Sequence, residues 1–189
     1  MTPLPFSVPD PARLLANEPL ARHTAVRLGG PADWVYLARQ SADELAAIVG
    51  AAWEAGYPVR VLGGGANVLI SDAGVRGLVV VNSVRTLEWA EDCAIVSAGY
   101  SLTTLARKCA GHGLAGFEWA ASVPGTVGGA VVNNAGAHGG DMASCLVSAE
   151  VLDAAQGRHT LAAADLAYGY RTSALKARAD RQFLVLSAA

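Results

Sequence analysis

Apolar residues recur at helical spacing in two places along the chain and in short runs at several others. Leu45, Ile48, Val49 and Ala52 fall at i, i+3, i+4 and i+7, the stripe of an amphipathic helix. Ser41-Ala-Asp-Glu44 opens it as a capping box, the hydroxyl covering an orphan amide while the carboxylate reaches back to the cap, and Gly56 closes it. A second stripe, Leu102, Leu105, Ala106 and Cys109, predicts a helix from the Ser101 cap to about Gly111, ended by Gly113. Short apolar runs predict strands at residues 34–38, 59–62, 68–70, 78–81, 86–89, 94–98, 147–153, 159–161 and 183–187. The run at 34–38, the first helix and the run at 59–62 form a βαβ unit with parallel strands. The runs at 78–81, 86–89 and 94–98 predict a meander, and those at 147–153 and 159–161 a hairpin; residues 163–166 predict a short helix. Pro3, Pro5, Pro9, Pro11 and Pro19 make residues 1–22 an extended arm with one helical turn near 12–16. The expected fold class is α+β, helices and strands mixed, with divisions at residues 1–22, 23–82 and 83–189.

Two glycine-rich stretches interrupt this pattern. From Ala121 to Ala137 the chain is small, apolar and nearly uncharged, so its backbone can approach another surface closely. Pro124-Gly125 sets a tight turn, Gly128 and Gly129 drop two side chains in succession, and residues 126–133 form a short helix whose free amides would face an anion. A close structural crossing favours the same small residues and stays open as the alternative. The second stretch is Gly63-Gly64-Gly65-Ala66-Asn67, placed between two predicted strands. It has neither the helix-opening G-x-G-x-x-G of a dinucleotide fold nor the Lys-Ser/Thr of a P-loop. Consecutive amides there can still form a nest around a phosphate, with Asn67 adding a side-chain donor, or the glycines can serve only as a mobile hairpin.

Composition narrows the function classes. The 189 residues are 52% hydrophobic and 16% charged, which makes an ordered globular chain able to bury a core. A net charge of -2 and only two lysines, Lys108 and Lys176, leave no basic patch for nucleic acid. The positive mean hydropathy comes from alanines and valines broken by Arg, Asp, Gly and Pro, without the run of ~18 apolar residues that spans a membrane. No cationic n-region with an apolar core opens the chain, so a cytoplasmic protein is expected. Cys93, Cys109 and Cys145 are odd in number and widely spaced, which disfavours disulfides and a zinc site and makes no metal the expectation.

Four segments in order resemble the UDP-N-acetylenolpyruvoylglucosamine reductase (MurB) family of flavoenzymes: residues 23–32 (HTAVRLGGPA), 62–69 (LGGGANVL), 123–130 (VPGTVGGA) with 134–137 (NAGA), and 170–176 (YRTSALK). The resemblance spans nearly the whole chain. It implies the FAD-binding fold of the vanillyl-alcohol-oxidase type, with two α/β subdomains. Gly63, Gly64, Gly65, Ala66, Asn67 and Val68 would hold the FAD pyrophosphate, and Ser122, Val123, Pro124, Gly125, Thr126, Gly128, Gly129 and Ala130 would line the cofactor's other side. The family usually has serine where Ala66 stands, and often tyrosine where His138 stands.

By the same resemblance NADPH reduces FAD, and reduced FAD passes hydride to the enolpyruvyl group of a UDP-sugar, UDP-N-acetylglucosamine enolpyruvate. Arg171 matches the family arginine that neutralises the adjoining carboxylate, a task suited to a permanently charged, bidentate guanidinium, and Tyr170 shapes the same pocket. Ser173 matches the motif's own serine and not the proton donor. The family's proton-donor serine and assisting carboxylate lie in a third domain beyond the strand at 183–187, so the chain is expected to be truncated, to hold FAD and not to turn over. Another flavin oxidase of the same fold, acting on an alcohol or sugar, and a non-catalytic nucleotide-binding module are the rival readings.

Overall fold

The computed structural model describes residues 3–189, which divide into two units, one through Val84 and one from Arg85 onward. The first two residues of the predicted arm lie outside the described residues.

In the first unit a 3-10 turn at Pro11–Arg13 leads into β1 (Leu14–Pro19), so most of the predicted arm's ordered length is a strand and not a helical turn. After β2 (Pro31–Ala38) come α1 (Ala42–Glu54), β3 (Val59–Leu62) and β4 (Val75–Asn82). The sheet runs β1-β2-β4-β3, with β1 antiparallel to β2, and β4 parallel to both β2 and β3. The βαβ unit therefore has the expected direction, but β4 is inserted between its two strands. The sequence pattern fixes the strands' inward faces without saying which neighbour pairs with which. Leu45, Ile48, Val49 and Ala52 are all buried, as the stripe predicts. Each large apolar side chain so buried contributes about 1.5–3 kcal/mol relative to leaving it in water.

The start of α1 departs from the predicted box. Ser41 Oγ accepts from the Glu44 amide at 3.1 Å, but the Glu44 carboxylate passes the cap and takes the amides of Gln40 (2.7 Å) and Arg39 (3.0 Å). Its other oxygen accepts from Tyr36 Oη at 2.6 Å and from Arg13 Nη1 at 3.0 Å. Burial acts to raise the Glu44 carboxyl, but these hydrogen bonds and the Arg13 charge outweigh it and hold it below its ordinary value. Burial, followed by the bond to Glu44, pushes the Tyr36 phenol up to about 12.

The predicted meander is split between the units. Its first run is β4 of the first sheet, whereas β5 (Leu87–Trp89) and β6 (Ala94–Ser97) form an antiparallel hairpin in the second. There follow α2 (Leu102–Gly111), a 3-10 segment Glu118–Ser122, α3 (Val127–Asn133), the two-residue strands β7 (Gly136–Ala137) and β8 (Gly140–Asp141), β9 (Ser148–Asp153), β10 (Gly157–Ala162), α4 (Ala174–Ala177) and β11 (Phe183–Ala188). The helix predicted at 163–166 is a 3-10 turn, Ala163–Leu166. The large sheet is antiparallel throughout, in the order β10-β9-β11-β6-β5, so the last strand of the chain sits in its interior. Leu102, Leu105, Ala106 and Cys109 of α2 are buried as their spacing predicts. They join Val127, Ala130 and Val131 of α3 and Val96, Ala149, Val151 and Val185 of the sheet in one core.

Asp153 ends β9 buried, paired with Arg178 and accepting the amides of Ala155 (2.8 Å) and Gln156 (3.2 Å) across the predicted hairpin turn. Burial opposes its ionisation, yet the Arg178 bond and the two amides hold its carboxyl below the ordinary value.

Candidate functional site

In the first unit β3 delivers the chain into the loop Gly63-Gly64-Gly65-Ala66-Asn67. The run at 68–70 that predicts a strand is irregular, with Leu69 83% exposed. A strand needs a ladder partner, and residues 68–70 pair with none of the strands of the sheet, so the apolar run has no backbone hydrogen bonds to make it one. None of the five amides from Gly63 to Asn67 donates a hydrogen bond among the described residues. Gly65 has φ +63, and a Cβ on it would lie 2.3 Å from the His23 carbonyl oxygen, while its own carbonyl accepts from the Ala25 amide at 3.0 Å. Glycine is required here because the 23–25 backbone lies against the loop. Two segments far apart in sequence thus meet at one place.

Beside that contact lies an open cleft of about 530 Å³ lined by Ala21, Arg22, Thr24, Ala25 and Arg27. Thr24 Oγ1 donates to Leu28 O at 2.8 Å and fixes the turn, within which Arg27 adopts φ +56. Arg22 and His23 both face Glu18, at 3.2 and 3.1 Å, whereas Arg27 makes no ion pair among the described residues. Five consecutive amides with no acceptor among the described residues, in a loop held against the 23–25 backbone, can take a phosphate without any rearrangement of the chain's own hydrogen bonds.

The stretch 121–130 in the second unit is built differently. Thr126 caps α3, but the amides of Val127 and Gly128 donate to Tyr100 O (3.0 Å) and Ala98 O (2.8 Å). The amides of Val123 and Ala130 are likewise taken, by Ala120 O and Thr126 O. The expectation that the helix's free amides face an anion is therefore corrected: the turn after β6 claims the first two. Gly128 owes its small size to the same crossing, since a Cβ would meet the Ala98 Cβ at 2.8 Å. Gly129 is exposed, and the nearest atom to a Cβ there is Thr126 Oγ1 at 3.7 Å, so nothing in this unit explains its missing side chain. Ser122 is exposed and its Oγ lies 3.1 Å from His138 Nε2.

Tyr170 and Arg171 occupy the tip of a turn closed by mutual 3.2 Å bonds between Gly169 and Thr172. Arg171 has φ +57, and its Nη2 donates to Gly136 O at 2.8 Å. The turn borders a cleft of about 330 Å³ lined by Asn134, Gly136, Ala137, His138, Gly139, Gly140, Asp141, Tyr170 and Arg171. Ser173 is buried, donating to Val132 O at 2.6 Å and capping α4 through the Lys176 amide, a structural role. Burial, followed by the neighbouring Cys145 and Asp141, pushes the Tyr168 phenol up, so it stays a donor to Val131 O at 2.9 Å.

Residue-by-residue reading missed the role of Asn134. It sits at φ +45, accepts the Ala143 amide at 3.0 Å, and donates to Asp141 (3.1 Å) and Gly169 O (3.0 Å). The available signal was an asparagine at the end of a short helix, a residue type that tolerates the left-handed conformation needed at a helix C-terminus.

The profile of the FAD binding domain family matches residues 35–162. The chain belongs to that family. It is 46% identical over 171 residues to the UDP-N-acetylenolpyruvoylglucosamine reductase of Gloeobacter violaceus, covering 89% of this chain and 56% of that protein. The crystal structure of UDP-N-acetylenolpyruvylglucosamine reductase (MurB) from Thermus caldophilus superposes with a TM-score of 0.73 at 29% identity, covering 93% of this chain and 59% of that one. An alkyldihydroxyacetonephosphate synthase shares the fold, with a TM-score of 0.64 at 20% identity over 94% of this chain and 37% of that one. This FAD binding domain chain spans about half the length of the curated relatives it matches. Among the described residues no helix is long and apolar enough to cross a membrane.

Proposed function

We propose that this chain carries the flavin-holding part of a UDP-N-acetylenolpyruvoylglucosamine reductase, which reduces a UDP-sugar enolpyruvyl ether to UDP-N-acetylmuramate at the expense of NADPH in cytoplasmic peptidoglycan precursor synthesis. One observation carries the cofactor assignment. The five amides from Gly63 to Asn67 are unclaimed among the described residues, in a loop whose shape is fixed by Gly65 against His23 and Thr24, which fits the pyrophosphate of FAD. Gly63, Gly64, Gly65, Ala66, Asn67 and Val68 would hold the diphosphate, with backbone amides acting where Ala66 supplies no hydroxyl. In the second unit Ser122, Val123, Pro124, Gly125, Thr126, Gly129 and Ala130 are assigned to the cofactor as well, with Gly128 supporting them from behind through its contact with Ala98. Bound FAD would supply the hydride, received from NADPH.

The chain's own chemistry centres on Arg171. Hydride addition to an enol ether builds negative charge toward the adjoining carboxylate, and a guanidinium held at a cleft neutralises it in bidentate fashion without changing its own protonation. Its bond to Gly136 O fixes one edge of the guanidinium and leaves the rest for the ligand. Tyr170, 92% exposed, is available to close over the sugar.

The test is flavin titration of the purified chain, followed by anaerobic addition of NADPH and then of the enolpyruvyl substrate, with visible absorbance as the readout. One FAD per chain is expected. A chain that stays colourless with excess FAD would refute the assignment.

A further inference from the structure

Arg171 holds a backbone conformation that costs energy. At φ +57 it sits in the left-handed region, where a residue with a β-carbon other than Asn or Asp is disfavoured by about 1 kcal/mol or more. Such a conformation persists only where the surroundings over-determine it. Three bonds fix the base of the turn to the C-terminal end of α3: Tyr168 Oη to Val131 O at 2.9 Å, Ser173 Oγ to Val132 O at 2.6 Å, and Asn134 Nδ2 to Gly169 O at 3.0 Å. They also satisfy two of the carbonyls that the helix end leaves open. None of the three touches the arginine's own peptide.

One side chain does. Lys176 Nζ donates to Arg171 O at 2.7 Å, and the Lys176 backbone is itself fixed by its amide bond to Ser173 Oγ at 3.1 Å. The lysine makes no ion pair among the described residues. Its ammonium is committed to the carbonyl of another cationic residue. Resting on the reading of Arg171 as the carboxylate-binding residue, we propose that Lys176 is a positioning residue, locking the Tyr170–Arg171 turn so that the guanidinium stays at the cleft bordered by Gly136 and Asp141. Lys176 also adds positive potential for the same anion.

The experiment compares the FAD-loaded wild-type chain with Lys176→Met, Lys176→Arg and Arg171→Met. Two readouts are taken: amide resonances of Tyr170, Arg171 and Thr172 in ligand-free NMR spectra, and affinity for UDP-N-acetylglucosamine enolpyruvate by calorimetry. Lys176→Met is expected to move all three resonances and weaken binding about tenfold with the thermal midpoint unchanged, and Lys176→Arg to restore both. Lys176→Met resonances that coincide with wild type overturn the positioning role, as does a failure of Lys176→Arg to rescue. If Arg171→Met binds the sugar as well as wild type, the carboxylate assignment of Arg171 falls. A resonance shift in Lys176→Met would even then uphold the lock on the turn.

Discussion

The loop at 63–67 and the stretch at 121–130 look alike as sequence, both rich in glycine and poor in charge, and they differ in where their amides go. In the first, five successive amides are unclaimed among the described residues, and the glycine at 65 is demanded by a neighbouring backbone 2.3 Å from where its Cβ would be. In the second, several amides are already claimed, and the carbonyls of Ala98 and Tyr100 take those of Gly128 and Val127. Glycine content alone therefore does not locate an anion site. What distinguishes the two is whether another strand or turn has already used the donors.

The largest effect expected from breaking this comparison is at Gly65. Gly65→Ala combines a positive φ with a backbone clash and should cost about 3 kcal/mol or more, measured by urea unfolding. A loss below about 1 kcal/mol would mean the 23–25 segment is free to move away. A control destabilises the same unit without touching the loop. Glu44→Gln should cost about 2 kcal/mol at neutral pH, since a charged hydrogen-bond hub is lost. Because the Glu44 carboxyl is depressed in the folded chain, its contribution is present above the ordinary value of 4.5 and disappears as pH falls through the lower folded value. The variant should accordingly lose part of the wild type's acid-side fall in stability while retaining FAD at neutral pH.

The next pair divides the second stretch. Gly128→Val is expected to lower stability by about 1–3 kcal/mol through overpacking on Ala98, so its loss of flavin would be a folding effect. Gly129→Val should leave the thermal midpoint within a degree or two and weaken FAD about tenfold by filling the space beside Thr126. Equal flavin affinity for Gly129→Val and wild type would return the whole stretch to a packing role. The smallest effect is at Asn67, where Asn67→Ala removes one neutral donor among several amides; a two- to fivefold drop in FAD affinity by fluorescence titration is expected, from roughly 0.5–1 kcal/mol.

Much of the local structure was legible in the residues. The stripes of α1 and α2 bury the positions their spacing selects, and the hairpin β9–β10 forms where its turn residues stand. The site was legible only as four segments. That the 23–25 segment packs on the glycine loop, and that Asn134 and Lys176 hold the Arg171 turn, depends on contacts between residues 5 to 42 positions apart in the chain, counted from Lys176–Arg171 and from Gly65–His23. Periodicity is silent about such contacts.

The sequence by itself determined which residues of α1 and α2 face inward, where those two helices begin and end, and that two glycine stretches and an arginine motif occur in family order. Pairing was left to the tertiary structure. It placed β4 between β2 and β3, set β11 inside an antiparallel sheet, sent Glu44 past its own cap, and spent the amides of Val127 and Gly128 on carbonyls while leaving those of residues 63–67 open. The physical reason is that a side chain's hydrophobicity is a local property. A backbone donor's availability depends on which acceptor the rest of the fold brings to within about 3 Å.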